Sequence, residues 1–135
     1  MPVNTNGYNK IKEQLQPYSA KLIAVSKTKT AEDILALYQL GQKDFGENYV
    51  QELTTKYEGL PKDIRWHFIG HLQTNKVKYI APFINTIHSV DSLNLLTEIN
   101  KQAYKHHRVV SCLLQSILIS TINLKLKLVK EWIIV

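Results

Sequence analysis

Lys21-Leu22-Ile23-Ala24-Val25-Ser26-Lys27-Thr28-Lys29 is a short apolar run between charged ends. Leu22 to Ser26 shows no polar alternation, so both of its faces suit burial, as in a parallel strand covered by helices. Thr30 follows, with Asp33 three residues on in a capping-box variant, and Ile34, Leu37 and Leu40 form one apolar stripe that ends at Gly41. The opening unit is therefore a strand followed by a helix. Upstream, Tyr8, Ile11 and Leu15 recur at helical spacing; Asn4 or Asn6 is placed to cap that helix and Pro17 to end it.

Downstream the unit repeats. A short strand around Lys43 to Gly46 precedes a helix from about Asn48 to Tyr57 and a Gly59-Leu60-Pro61 turn. Arg65 to Ile69 reads as a third strand and Gly70 to Thr74 as a loop, with Thr74 or Asn75 capping a helix that runs to Ala81 before Pro82. Asn85 to Val90 is a fourth strand, Asp91 or Ser92 caps a helix through about Tyr104, and Val109 to Gln115 opens a fifth strand. Strands alternating with helices at this spacing imply right-handed crossovers and a parallel sheet, either open and doubly wound or part of a barrel.

Length and composition bound the function. A chain of 135 residues with 44% hydrophobic residues is one domain's worth and can bury a core. The formal charge of +6 is spread along the chain without a basic block, so an arm for nucleic acid is not expected, although Trp66, Tyr79 and Tyr104 are aromatic candidates for stacking on bases. No leader-like start and no run of about 20 apolar residues is visible, so the expected location is cytoplasmic with no membrane contact. The one cysteine, Cys112, lies among apolar residues and reads as a small buried hydrophobe. His67, His71 and His88 do not share the helical spacing of a zinc site, so no metal is expected; His106-His107-Arg108 suits the C-terminal end of a helix dipole.

Lys27 carries the candidate chemistry. It stands where a buried strand emerges into a loop, with a second cation at Lys29; partial desolvation and that neighbouring charge would favour a neutral, nucleophilic amine. Taken alone, the segment reads more simply as one solvated lysine near a strand end. Its company changes the reading. Ala24-Val25-Ser26-Lys27-Thr28-Lys29, Asp44-Phe45-Gly46-Glu47-Asn48-Tyr49-Val50-Gln51-Glu52 and Arg65-Trp66-His67-Phe68-Ile69-Gly70-His71-Leu72-Gln73-Thr74-Asn75-Lys76 occur in this order. Together they resemble the pyridoxal phosphate homeostasis proteins, single-domain relatives of the barrel domain of alanine racemase. The likeness covers about Asn9 to Gln115.

That resemblance implies a fold and a ligand. The fold would be α/β, a partial (β/α)8 TIM-type barrel of fold type III with about five of its eight strands present, in which sites lie at the C-terminal ends of the strands. The ligand would be pyridoxal 5'-phosphate, held as a Schiff base on Lys27, with the Asn48 amide near the ring's phenolic oxygen and His67 facing the ring. Family members are read as carriers or regulators of vitamin B6 and of amino and keto acid pools, so an enzyme is not expected, and no catalytic residue is assigned. The expected partner is the small molecule itself, with no nucleic acid and a monomeric chain. Residues 1–115 would form the barrel part, and 116–135, apolar and dotted with lysines, an atypical tail reflecting a frameshift or premature stop. In that case two sheet edges would lie unpaired, and Leu124-Lys125-Leu126-Lys127-Leu128 would cover one as a strand, promote aggregation, or belong to a helix reaching Trp132. The competing readings are a remnant that cannot hold cofactor and a basic nucleic-acid-binding module.

Overall fold

The computed structural model describes residues 3–115 and the backbone of residues 132–134. Helix α1 (Thr5–Leu15) is followed by β1 (Lys21–Val25), α2 (Ala31–Gln39), β2 (Asp44–Glu47), α3 (Val50–Gly59) and β3 (Arg65–Phe68). A 3-10 turn (Thr74–Lys76) leads into the short α4 (Val77–Ile80), and β4 (Thr86–Val90), α5 (Leu93–Lys105) and β5 (Ser111–Leu114) complete the alternation before β6 (Trp132–Ile134). All neighbouring strands are parallel, in the order β5-β4-β3-β2-β1-β6. Strands β1 to β5 thus lie side by side in chain order, the arrangement of consecutive staves in a barrel.

Local signals explain most boundaries. Asn4 accepts from the Gly7 amide, Thr30 from Asp33 and Ser92 from Leu95, so three helices begin at the side-chain caps that their sequences offer. The fourth helix differs from expectation. Neither Thr74 nor Asn75 caps it; both lie within the 3-10 turn, and Gln73 precedes that turn without a side-chain cap bond. The cations after α5 do a different job from dipole capping, because Arg108 donates to the carbonyls of Ala81 and Ile84 at 2.7 and 2.9 Å and so ties down the end of α4.

One face of the sheet packs under the helices. Phe45, Trp66, Phe68 and Ile87 meet Ile34, Leu53, Ile80, Leu95 and Ile99 there in a continuous apolar layer. Trp66 is wholly buried in it, which removes it as a platform for bases, whereas Tyr79 and Tyr104 are exposed. The other face carries Ile23, Gly46 and Ile69, which crowd together so closely that a Cβ on Gly46 would lie 3.0 Å from Ile69 Cδ1 and 3.2 Å from Ile23 Cγ2.

The expectation of an unpaired β1 edge is corrected. Lys21, Leu22 and Ile23 are in register with Trp132, Ile133 and Ile134, so the chain's own last strand lies along that edge, parallel to β1. Residues 124–131 lie outside the described residues; Trp132 is in a strand rather than at the end of a helix.

Candidate functional site

Strand register puts the three sequence-predicted residues at two levels. Val25 pairs with Gly46, and Gly46 with His67, so these three form one row across β1, β2 and β3. Asn48 stands two residues beyond that row, about 7 Å further toward the C-terminal rim at the usual rise of a strand, and Lys27 follows the C-terminal end of β1 in the turn after Ser26. Lys27 and Asn48 therefore share the rim, and His67 lies a layer deeper.

Lys27 is exposed, in contrast to the partial desolvation expected from its sequence, because the chain has already turned away from the sheet at Ser26. No hydrogen bond or ion pair involves its amine among the described residues. The turn that carries it is tightly held from the helix side. Ser26 donates its amide to the Gly46 carbonyl at 2.9 Å and its hydroxyl to Glu47 Oε1 at 2.6 Å. Lys56 of α3 donates to the Ser26 carbonyl and to Glu47 Oε1, both at 2.6 Å, and to Glu52 Oε1 at 2.7 Å. Glu52 Oε1 in turn accepts the Thr28 amide at 2.6 Å.

This polar knot follows from alternation. Ser26 and Glu47 share the parity of Ala24 and Phe45 and so face α3, where Lys56, one helical turn after Glu52, reaches both. Burial pushes the Glu47 carboxyl up from its ordinary value against the opposing pull of Lys56 and Ser26, and its buried Oε2 has no hydrogen-bond partner among the described residues. The bond to Lys56 lowers the Glu52 carboxyl, with the Thr28 amide adding to the effect.

Asn48 closes β2 and lines a cleft of about 790 Å³ with Val50, Thr54, Gly70, His71 and Lys76. Its Oδ1 is buried and has no hydrogen-bond partner among the described residues. Gly70 makes the close approach possible: a Cβ there would sit 2.9 Å from the Asn48 carbonyl oxygen and 3.0 Å from its Cα. Lys27 stands outside this cleft, so the two rim residues are neighbours on the sheet rather than walls of one pocket.

His67 is wholly buried, and both of its ring nitrogens are engaged. Nε2 lies 2.8 Å from Asp44 Oδ1 and Nδ1 lies 3.0 Å from His88 Nε2. Arg65 adds a two-pronged contact to Asp44 at 3.0 and 2.7 Å. Burial works against the Asp44 carboxylate, but the bonds from His67 and Arg65 outweigh it and bring the carboxyl down to about 2. Burial, and then the neighbouring His67, bring His88 down to about 4. Sequence spacing missed this chain of side chains. Its signal was present in the register that sets Asp44, His67 and His88 on the face opposite the helices. His71 belongs elsewhere, with Nδ1 3.6 Å from Asp91, and among the described residues no group of three or more His, Cys, Asp or Glu is arranged to hold a metal. Cys112 is half-buried, and burial raises its thiol to about 11, consistent with a packing role.

A parallel α/β sheet with its strands in chain order has the arrangement of part of a (β/α)8 barrel. Comparison with known proteins agrees: over part of its length the chain is similar to the pyridoxal phosphate homeostasis proteins. It is 50% identical over 97 residues to the protein of that name from Aquifex aeolicus, a match covering 71% of this chain and 42% of the relative. To the one from Synechocystis it is 41% identical over 110 residues, covering 80% of this chain and 50% of the relative. No family model matches the chain. Among solved structures, PipY of Synechococcus elongatus without pyridoxal phosphate superposes with a TM-score of 0.76 at 35% identity, over 93% of this chain and 56% of PipY. PipY with pyridoxal phosphate bound gives 0.72 at 39% identity, over 78% and 50%. The chain thus spans about half the length of the curated relatives it matches. No helix among the described residues is long and apolar enough to cross a membrane.

Proposed function

We propose that this chain binds pyridoxal 5'-phosphate through Lys27 and serves the intracellular balance of vitamin B6 and of amino and keto acids as a carrier or regulator rather than an enzyme. The observation that carries the reading is the pairing of an exposed amine with a held backbone: Lys27 projects from a turn pinned on both sides, at Ser26 and at Thr28. The similarity to PipY, which has been solved with pyridoxal phosphate bound, supports it.

The residues present fit the group. Bound pyridoxal phosphate supplies an aldehyde that condenses with a primary amine. Lys27 is the residue that would hold the group, its primary amine being the nucleophile that the aldehyde carbon would meet. Asn48, which lines the cleft at the end of β2, carries a side-chain amide N–H that would donate to the ring's phenolic oxygen. His67, tied by both nitrogens to Asp44 and His88, acts from below as a rigid floor to the ring rather than as a donor to it. Racemisation would need acid or base groups on both faces of the ring and a site for the substrate carboxylate. We assign neither to this chain. The same reading takes the protein as cytoplasmic and monomeric, with residues 1–115 as the barrel part and with no role in nucleic-acid binding.

An absorbance scan of the purified chain with pyridoxal phosphate, then borohydride reduction and peptide mapping, tests this. The expected result is a new visible band and a reduced adduct concentrated on the peptide containing Lys27. An adduct spread evenly over the lysines would mean generic amine reactivity and would overturn the proposal.

A further inference from the structure

We infer that Glu52 and Lys56 of α3 are positioning residues for Lys27: they clamp the Ser26–Thr28 backbone from the helix side and so aim the lysine amine. The inference rests on the reading of Lys27 as the amine that meets the aldehyde. It concerns a part of the molecule to which that reading assigns no role.

The geometry is specific to the turn. Thr28, a β-branched residue, has φ of 64°, in the left-handed region that such residues rarely enter. Something must hold it there. Its amide is fixed by Glu52 Oε1 at 2.6 Å, two residues after the Ser26 carbonyl is fixed by Lys56 Nζ at the same distance. Lys29 closes the turn by donating its amide to the Ser26 carbonyl at 3.0 Å. The backbone contacts that Glu52 and Lys56 make in this turn fall on the two residues flanking Lys27, and the Lys27 side chain takes no part in them.

The two residues also hold each other. Lys56 Nζ bonds Glu52 Oε1 at 2.7 Å, and the buried Glu47 Oε1 at 2.6 Å fixes the ammonium from its other side. Loss of Glu52 would leave the Thr28 amide without its acceptor while Lys56 stayed anchored to Glu47 and Ser26. The strained φ would then relax, and Lys27 would sample many directions. Glu52 is partly exposed, so its removal leaves no buried unpaired charge.

The test uses the full chain with pyridoxal phosphate and borohydride, mapping the Lys27 adduct against those at the other lysines and following thermal unfolding in parallel. Glu52→Ala is expected to cut the Lys27 share of the adduct by about fivefold, a small part of the roughly 10²-fold that misplacing a reacting group can cost, with a shift of only a few degrees in the unfolding midpoint. Glu52→Gln keeps an oxygen for the Thr28 amide and should retain most of the selectivity. Glu58→Ala, which removes an exposed charge from the same helix away from the turn, should retain all of it. If Glu52→Ala does not fold, Glu52→Asp serves instead: it keeps the charge on α3 but draws the carboxylate back by one methylene from the Thr28 amide, so the same loss of selectivity is expected. Selectivity unchanged in Glu52→Ala, or in Glu52→Asp where that variant replaces it, overturns the clamp and leaves the Lys27 reading standing. Wild-type protein without selectivity for Lys27 overturns both.

Discussion

At Gly70 there is no room for a side chain, because the Asn48 backbone lies where a Cβ would be. Gly70→Ala should therefore push Asn48 out of place and destabilise the fold by about 1–3 kcal/mol, the usual range for overpacking, as measured by urea unfolding. The Gly46 position is more forgiving, since its nearest neighbours are side-chain atoms of Ile69 and Ile23 that can rotate. Cys112 provides a second check at this scale. With its thiol raised to about 11 by burial, it should react with a disulfide reagent at neutral pH far more slowly than in the urea-unfolded chain, and equal rates would contradict its packed position. Lys27 shows where a sequence reading stops. Its place at a strand end was legible from the apolar run before it, and a solvated amine was one of two readings there; which of the two holds depends on the turn at Ser26 and on α3 behind it.

Among the elements, α3 has the most influence on the rim, since it supplies Lys56 and Glu52 and lines the cleft beside Asn48. Lys56→Met should lower stability by about 3 kcal/mol, because it strands a buried Glu47 and releases the Ser26 carbonyl, and the loss should be read by chemical unfolding. Helix and strand order could be read directly from periodicity, caps and turns: Thr30 and Ser92 cap as expected, and β1 to β5 fall within a residue or two of their expected bounds. The ion pairs could not. Asp44–Arg65 and Glu47–Lys56 join residues whose proximity is created by strand register and helix placement, and spacing along the chain carries little trace of either. His67 and His88 are 21 residues apart and meet only because β3 and β4 lie side by side.

For the whole molecule, the titrating groups predict an acid-sensitive fold. His88 is held at about 4 in the folded chain against an ordinary 6.5, so the unfolded chain takes up a proton that the folded one refuses as pH falls below 6.5. Asp44, at about 2 against 3.8, adds stability that is full above 3.8 and lost as pH falls from there toward 2. Glu47, raised by burial, works in the opposite direction: its contribution favours the fold at low pH and is lost as pH rises through its folded value, so it opposes the acid limb set by His88 and Asp44. The unfolding midpoint should thus decline steadily from about pH 6.5 downward, and a midpoint flat to pH 4 would contradict the burial of His88. The sheet edge gives a further prediction. Deleting residues 132–135 exposes β1, so light scattering should rise and the unfolding midpoint fall relative to the full chain. The translated-remnant reading expects instead a chain that aggregates with or without that strand.

One experiment bears on the central claim more directly than any other: titrating pyridoxal phosphate into wild-type protein and into Lys27→Ala while recording the visible absorbance. The account predicts a saturable band in the wild type that is lost in Lys27→Ala while thermal unfolding stays unchanged. A band of undiminished size in the variant would contradict it.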